Sequence, residues 1–285
     1  LKIAVISDIH ANFVALKTVV NEINYWHPDF VVVCGDIINR GPRPRECLEY
    51  IMEKEEKDNW LVLKGNHENY VIDQSLPDAP RDQASLDVHR ASIWTLEKIG
   101  SVATIETLPF QQSIYDPNGD ELRFIHASMR GIRDGIYPET SISELKEKLE
   151  ITEDDLHNHL PKVYCVGHTH RTMYKEIKTT KIINVGSVGL PFDQNYRSAY
   201  VTLEFKDGVW RHQINRVEYD IERAKKDFYS TGYIEEAGPL IKIVLKELKD
   251  SSSYLYTWSK RYQKKVLKSE ITIEDSVMEF LASIQ

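Results

Sequence analysis

The chain has 285 residues, 41% hydrophobic and 28% charged, which suits one large α/β domain with an appendage and an ordinary buried core. A net charge of −8 and a pI near 5.7 argue against general affinity for nucleic-acid backbone or anionic membrane, although a bound cation would still let a small phosphorylated substrate approach. Three scattered cysteines exclude a disulfide framework, no run approaches the roughly 20 apolar residues of a membrane span, and the chain enters a strand at once without a basic leader, so a cytoplasmic protein is expected.

In chain order, the apolar β-branched run Ile3 to Ile6 stops at Ser7-Asp8-Ile9-His10, and apolar spacing resumes with helical period from Phe13 through Leu16, Val19, Val20 and Ile23. A second strand, Phe30 to Cys34, ends in Gly35-Asp36. The loop Ile37 to Pro44, punctuated by Gly41 and two prolines, leads into a helix from Arg45 to about Glu56. A third strand, Asn59 to Lys64, ends in Gly65-Asn66-His67-Glu68. Three strand-loop-helix units in a row predict right-handed crossovers and a largely parallel sheet. Residues 71–100 read as a helical insertion, broken at Leu76 to Pro80, with Trp94 in its core stripe.

From Gln111 the pattern alternates. Gln111–Tyr115 and Glu121–Ile125 form a hairpin across Asp116-Pro-Asn-Gly119, and the second strand runs into His126. A helix from Ser141 to about Glu150 opens on a Ser141/Glu144 capping box, with Ser143 as a competing cap. Lys162–Val166 leads into Gly167-His168-Thr169-His170. Strands at Thr172–Lys178 and Lys181–Val185 follow, then a tight turn at Asn184 to Gly189 and a last hairpin at Ala199–Phe205 and Val209–Val217. Residues 218–285 carry helical patterns alone, at Ile221–Tyr229, Ala237–Leu248 and Tyr254–Leu267, with a last short helix from Asp275 to Leu281. The expected architecture is α/β: two mixed sheets face to face with flanking helices over residues 1–217, plus a C-terminal helical appendage over 218–285.

Each His or Asp at a strand end has a bland explanation as a solvated turn or a satisfied core group. Five such clusters ending five apolar runs do not share one easily. Asp8, His10, Asp36, Asn66, His126, His168 and His170 offer imidazoles, two carboxylates and an amide oxygen without the cysteine cage of structural zinc. That inventory suits two borderline divalent ions, such as manganese, iron or zinc, sharing a carboxylate. Two ions about 3.5–4 Å apart bind a phosphoryl oxygen and activate water for in-line displacement. His157-x-His159 imitates a ligand pair but lies off this pattern in an acidic segment, and is read as a decoy.

Asp8-Ile-His10, Gly35-Asp36, Gly65-Asn66-His67-Glu68, His126 and Gly167-His168-Thr169-His170 stand in the order of the calcineurin-like metallophosphoesterases, which the chain resembles over about residues 1–205. The resemblance implies a four-layer αββα sandwich. It also implies a first metal on Asp8, His10 and His170, a second on Asn66, His126 and His168, and Asp36 bridging them. His67 would then be the acid at the leaving oxygen, and metal-activated hydroxide the nucleophile. His170 two residues after His168 resembles the small prokaryotic phosphodiesterase branch. Gly35-Asp36-Ile-Ile-Asn39-Arg40-Gly41 resembles the segment of protein phosphatases and dinucleoside tetraphosphate hydrolases in which Arg40 would clamp a substrate phosphate. Asn39 stands where protein phosphatases place an aspartate that orients the catalytic histidine. Ala11 and Val185 replace a glycine and a proline common in the family. The segment Trp210–Tyr219 is similar to bacterial diadenosine tetraphosphatase-related proteins.

The resulting expectation is a hydrolase of a nucleotide, dinucleoside polyphosphate or phosphodiester, with manganese foremost and iron or zinc as alternatives. No stable nucleic-acid or membrane partner is expected, and the helical tail is a candidate dimer surface. Two rival readings stay open: a protein Ser/Thr phosphatase, and a metal-containing nucleotide sensor without turnover.

Overall fold

The computed structural model describes residues 1–152, 154–155 and 160–284. Two five-stranded mixed sheets form its centre. The first runs β10-β9-β1-β2-β3 and comprises β1 (Lys2–Ile6), β2 (Phe30–Val33), β3 (Leu61–Val62), β9 (Ser198–Lys206) and β10 (Val209–Val217). The second runs β4-β5-β6-β8-β7 and comprises β4 (Gln111–Tyr115), β5 (Glu121–Ile125), β6 (Val163–Val166), β7 (Met173–Ile177) and β8 (Thr180–Asn184). β1, β2 and β3 are parallel, as the three crossover units require, while β9 joins β1 antiparallel.

Alternation along β1 explains the layering. Ile3 and Val5 point into the interface between sheets, where they meet Val32, Cys34, Leu122, Phe124, Val163 and Cys165. Ala4 and Ile6 point the other way, onto helices α1 (Phe13–Trp26) and α2 (Pro44–Asp58). The outer face of the second sheet, through Ile125, Tyr164, Val166 and Ile182, is covered by α6 (Ile142–Lys148). The order is therefore helix, sheet, sheet, helix. α6 opens on the Ser141/Glu144 capping box, with the Ser141 hydroxyl accepting from the Glu144 N–H. All three cysteines are free and buried, and burial pushes their thiols up.

Three boundaries differ from the sequence reading. The third strand shrinks to Leu61–Val62 because Asn59 closes α2 in a left-handed conformation and the Lys64 N–H leaves the ladder for the Pro109 carbonyl. Helix α3 (Asn66–Ser75) begins inside the polar cluster rather than near residue 71, since Gly65 is its N-cap and the Glu68 carboxylate accepts the Gly65 N–H. In the tail, the expected Ala237–Leu248 helix begins only at Ile241, after Gly238-Pro239. α4 (Gln83–Ile99) and α5 (Ala103–Glu106) are followed after the second sheet by α7 (Ile221–Ser230), α8 (Tyr233–Glu236) and α9 (Ile241–Asp250).

Beyond α9, α10 (Leu255–Trp258), a π-helical turn (Ser259–Gln263), α11 (Lys264–Leu267) and α12 (Ile273–Ser283) gather on Trp258 and Phe280. Phe228, Tyr233, Ile241, Val244 and Leu245 share one apolar cluster with α1, α2 and Trp94, so the tail helices α7–α9 are continuous with the core. Among the described residues, no helix is long and apolar enough to cross a membrane.

Phe124 is fully buried between the sheets, and truncating it leaves a cavity that rigid strands on both sides cannot close. Phe124→Ala should cost about 3–5 kcal/mol of unfolding free energy, read as a lowered urea midpoint.

Candidate metal centre

The five strand-end clusters come together at one edge of the paired sheets. Two loops after β1 and β2 are stitched by backbone bonds: Asp8 N–H to Gly35 O at 3.1 Å, His10 N–H to Asp36 O at 3.0 Å, and Ala11 N–H to Ile37 O at 2.9 Å. This fixes Asp8, His10 and Asp36 relative to each other before any side-chain contact. The third loop adds Asn66 and His67 at the start of α3, where the His67 N–H donates to Asp36 Oδ1 at 2.8 Å. The second sheet brings His126, His168 and His170, and the His168 N–H donates to Asp8 Oδ2 at 2.8 Å.

Two donor groups result. In one, His170 Nε2 lies 3.2 Å from Asp8 Oδ1 and 3.0 Å from His10 Nε2, and His10 Nε2 lies 3.6 Å from Asp36 Oδ2. In the other, His126 Nε2 lies 3.4 Å from Asp36 Oδ2 and 3.0 Å from Asn66 Oδ1, and His168 Nδ1 lies 2.7 Å from Asn66 Oδ1. Asp8, His10, Asp36 and His170 form one candidate set and Asp36, His126 and His168 another, each with donor atoms within 4.8 Å of one another. Asp36 belongs to both.

Ring orientation favours a cation. The Nδ1 of His170 meets the Leu190 carbonyl at 2.6 Å, and the Nδ1 of His126 meets the Cys34 carbonyl at 2.7 Å. A carbonyl accepts only, so each Nδ1 carries a proton and leaves its Nε2 to face the carboxylates. Asp8 Oδ1 is buried without a hydrogen-bond partner. Buried lone pairs converging on one another repel unless a positive charge sits among them. The oxygen and nitrogen donors fit a borderline divalent metal.

Burial and neighbouring charge shift these groups in opposite directions. Burial pushes His10, His67 and His168 down, the last to about 4, reinforced by neighbouring imidazoles. His126 goes the other way: burial lowers it, but Asp36, by charge and hydrogen bond, and Asp8 lift it to about 9. Burial raises Asp36, yet His126, His67 and His10 hold it well below the usual carboxylate range.

Glu68 underlies this arrangement. Fully buried, it accepts from the backbone N–H groups of Asp36, Ile37, Ile38 and Gly65 at 2.9, 2.8, 3.3 and 2.8 Å. Its carboxylate thus caps α3 and folds the Asp36 loop at once. Burial and Asp36 push its carboxyl up to about 7, opposed by those backbone donors. Gly65 is required by contact, since a Cβ there would fall 2.1 Å from Asp36 Oδ1. Asp8, His10, Ala11, Asp36, Asn39, Arg40, His168 and His170 all adopt positive φ, between 47° and 67°.

Other positions singled out by the sequence resolve differently. The His67 imidazole lies edge-on to His10 at 4.7 Å and to Tyr70 at 5.0 Å, with Nδ1 unpartnered. Asn39 does not orient it. The Asn39 amide donates to Ser92 Oγ at 3.1 Å and its oxygen accepts from the Arg40 N–H at 2.9 Å, because the left-handed backbone turns the side chain toward α4. The turn at Asn184–Gly189 braces the site: the Ser187 hydroxyl donates to the Asp8 carbonyl at 2.6 Å, and Asn184 Nδ2 donates to Gly167 O at 2.8 Å. Sequence reasoning misses Glu68's span of the Asp36 loop, although a glutamate three residues past a glycine N-cap is a capping-box signal. It also misses Phe192, which stacks flat on His170 at 4.3 Å. His157 and His159 lie outside the described residues.

Two facing sheets with these donors at their edge define a metal-dependent phosphoester hydrolase. The chain belongs to the calcineurin-like phosphoesterase family, whose profile matches residues 1–172. It is 29% identical to an uncharacterized protein of Methanocaldococcus jannaschii, over 78% of this chain and 89% of that protein. Its fold is similar to a metallophosphoesterase from Sphaerobacter thermophilus, with 24% identity, TM-score 0.67, and coverage of 88% of this chain and all of that one. A hypothetical protein from Pyrococcus horikoshii is also similar, with 18% identity, TM-score 0.68, and coverage of 85% and 97%.

With its folded value near 9, His126 must lose a proton to ligate. Apparent metal affinity should rise about tenfold per pH unit up to pH 9 and then level. Calorimetry of manganese binding in two buffers of different ionisation enthalpy measures the released proton. Glu68→Ala leaves up to four buried N–H groups unpaired, so it should cost about 3 kcal/mol or more and lower bound metal, read by denaturant unfolding and elemental analysis.

Proposed function

We propose that the chain hydrolyses a small phosphorylated substrate, a nucleotide, dinucleoside polyphosphate or phosphodiester, at a dinuclear centre that manganese fills best, with iron or zinc as alternatives. The observation that carries this reading is Asp36 Oδ2, which faces His10 Nε2 at 3.6 Å on one side and His126 Nε2 at 3.4 Å on the other. One carboxylate between two donor groups is the signature of a shared ligand. Asp8, His10, His170 and Asp36 would hold the first ion; Asp36, Asn66, His126 and His168 would hold the second. When bound, the ions supply Lewis acidity and an activated water.

The chain's own residues do the rest. The protons on His126 and His170 Nδ1 are tied to Cys34 and Leu190 carbonyls, so these rings keep Nε2 turned to the centre. His67, edge-on to His10 and held through its backbone N–H on Asp36 Oδ1, would protonate the leaving oxygen. Burial and the Arg40 charge hold it below the ordinary imidazole range, so the negative charge of a bound phosphate would have to load the proton before it is given to the leaving oxygen. The Arg40 guanidinium, whose charge also depresses His10 and His67, would bind a non-bridging phosphate oxygen.

The substrate reading draws on the net charge of −8, which disfavours long nucleic acid, and on the family's reaction class. A cytoplasmic setting accords with three buried, reduced cysteines.

The test is turnover in manganese by wild type and His67→Ala on bis-p-nitrophenyl phosphate, p-nitrophenyl phosphate and diadenosine tetraphosphate. A drop of about 10²-fold or more in kcat at unchanged metal content is expected. Metal-loaded wild type that turns over none of the three would defeat this substrate reading.

A further inference from the structure

Beside the donor cluster lies a cation without a counter-charge. Arg40 makes no ion pair among the described residues, and its buried Nε has no hydrogen-bond partner. It follows Asn39 in a loop where both residues are left-handed, at φ 59° and 67°. The loop sits directly on the metal-site backbone: a Cβ at Gly41 would fall 2.0 Å from the His10 carbonyl oxygen. A strained loop carrying an unpaired guanidinium holds one geometry only if its surroundings over-determine it.

Those surroundings come from the helical tail. Arg43, three residues after Arg40, donates from Nε and Nη2 to the two carboxylate oxygens of Asp227 on α7, at 2.6 and 2.9 Å, across 184 residues of sequence. The Arg43 N–H also donates to the Ala11 carbonyl, so the same residue ties metal loop to tail. Next to Asp227, Phe228 meets Tyr233 at 5.5 Å, and Tyr233 meets Trp94 at 4.6 Å. Two residues before Trp94 is Ser92, which accepts the Asn39 amide. Tyr233 is fully buried with its hydroxyl unpartnered. Burial holds that phenol well above its ordinary range, and Arg40's positive charge partly offsets this. An unpartnered buried hydroxyl is costly where it only fills space.

We infer that Asp227 and Tyr233 are positioning residues for Arg40, so that the helical tail sets the affinity of the site for the substrate's phosphoryl group. The bidentate Asp227 fork fixes the loop at Arg43, and the Trp94–Tyr233–Phe228 ring cluster joins α7 to the helix whose Ser92 holds Asn39, the residue before Arg40. This rests on the reading of Arg40 as a phosphate ligand.

The test is a double-mutant cycle in the full, manganese-loaded chain, read both as KM for bis-p-nitrophenyl phosphate and as the calorimetric Kd of inorganic phosphate. Asp227→Asn should raise both about 5–20-fold with kcat within about twofold, and Asp227→Glu should recover part of the loss. In an Arg40→Ala background Asp227→Asn should add nothing further, because Asp227 acts on phosphate only through Arg40. Tyr233→Phe, which keeps the ring and fold, should raise both about threefold or more. If Arg40→Ala leaves KM and phosphate affinity unchanged, the phosphate-ligand reading itself fails. If Arg40→Ala weakens both but the Asp227 effect multiplies independently or appears only in Tm, the positioning role fails while that reading stands. Tyr233→Phe with higher Tm and unchanged phosphate affinity removes Tyr233 from the role.

Discussion

One buried carboxylate organises this molecule. Asp36 is 1% exposed, faces an imidazole on each side through Oδ2, and takes the His67 N–H on Oδ1. Withdrawing a charge from water is costly unless its surroundings replace the lost solvation. Much of the local structure does so: the fourfold grip of Glu68 on its loop, the absence of a side chain at Gly65, and three imidazoles that hold it ionised. The sandwich can then be read as a device that brings strand ends from two sheets within reach of a single carboxylate.

The strand ends were legible because β-branched runs leave little doubt about where a buried strand stops. Ile3–Ile6, Phe30–Cys34, Glu121–Ile125 and Lys162–Val166 each run into their polar cluster as the alternation demands, and the two-sheet layering follows from the hairpins of the second half. What was not legible lies in backbone conformation and distant pairing. Asn39 aligns with an orienting aspartate, but a left-handed φ at 39 sends its amide to Ser92 on α4. Glu68 looks like an ordinary first-turn glutamate, and nothing in its neighbours announces that it spans to residues 36–38. The 184–189 segment reads as a turn and is one, yet its hydroxyl and amide hold the loops carrying Asp8 and His168. The Arg43–Asp227 pair joins residues far apart in sequence, where no local pattern marks a partner.

The tail changes character when seen in the fold. Its composition lacks the polar clusters of the first 170 residues, which suggests an accessory. Its apolar side chains nevertheless enter the same cluster as α1 and α2, and Trp94 donates to Glu236 across that boundary at 2.8 Å. Core formation and the Arg40 loop therefore draw on the same helices, and a perturbation of the tail reaches both.

The left-handed backbone at Asp8, His10, Asp36, His168 and His170 also limits what these positions can become. Beyond glycine, Asn, Asp and His are the residues most often found in that region, whereas β-branched chains are strongly disfavoured there. The same three types are the hard and borderline donors of divalent-metal chemistry. Chain geometry and ligand chemistry thus draw on one short alphabet. Drift at these sites is channelled toward exchanges of one oxygen or nitrogen donor for another, so the edge keeps its supply of candidate ligand atoms.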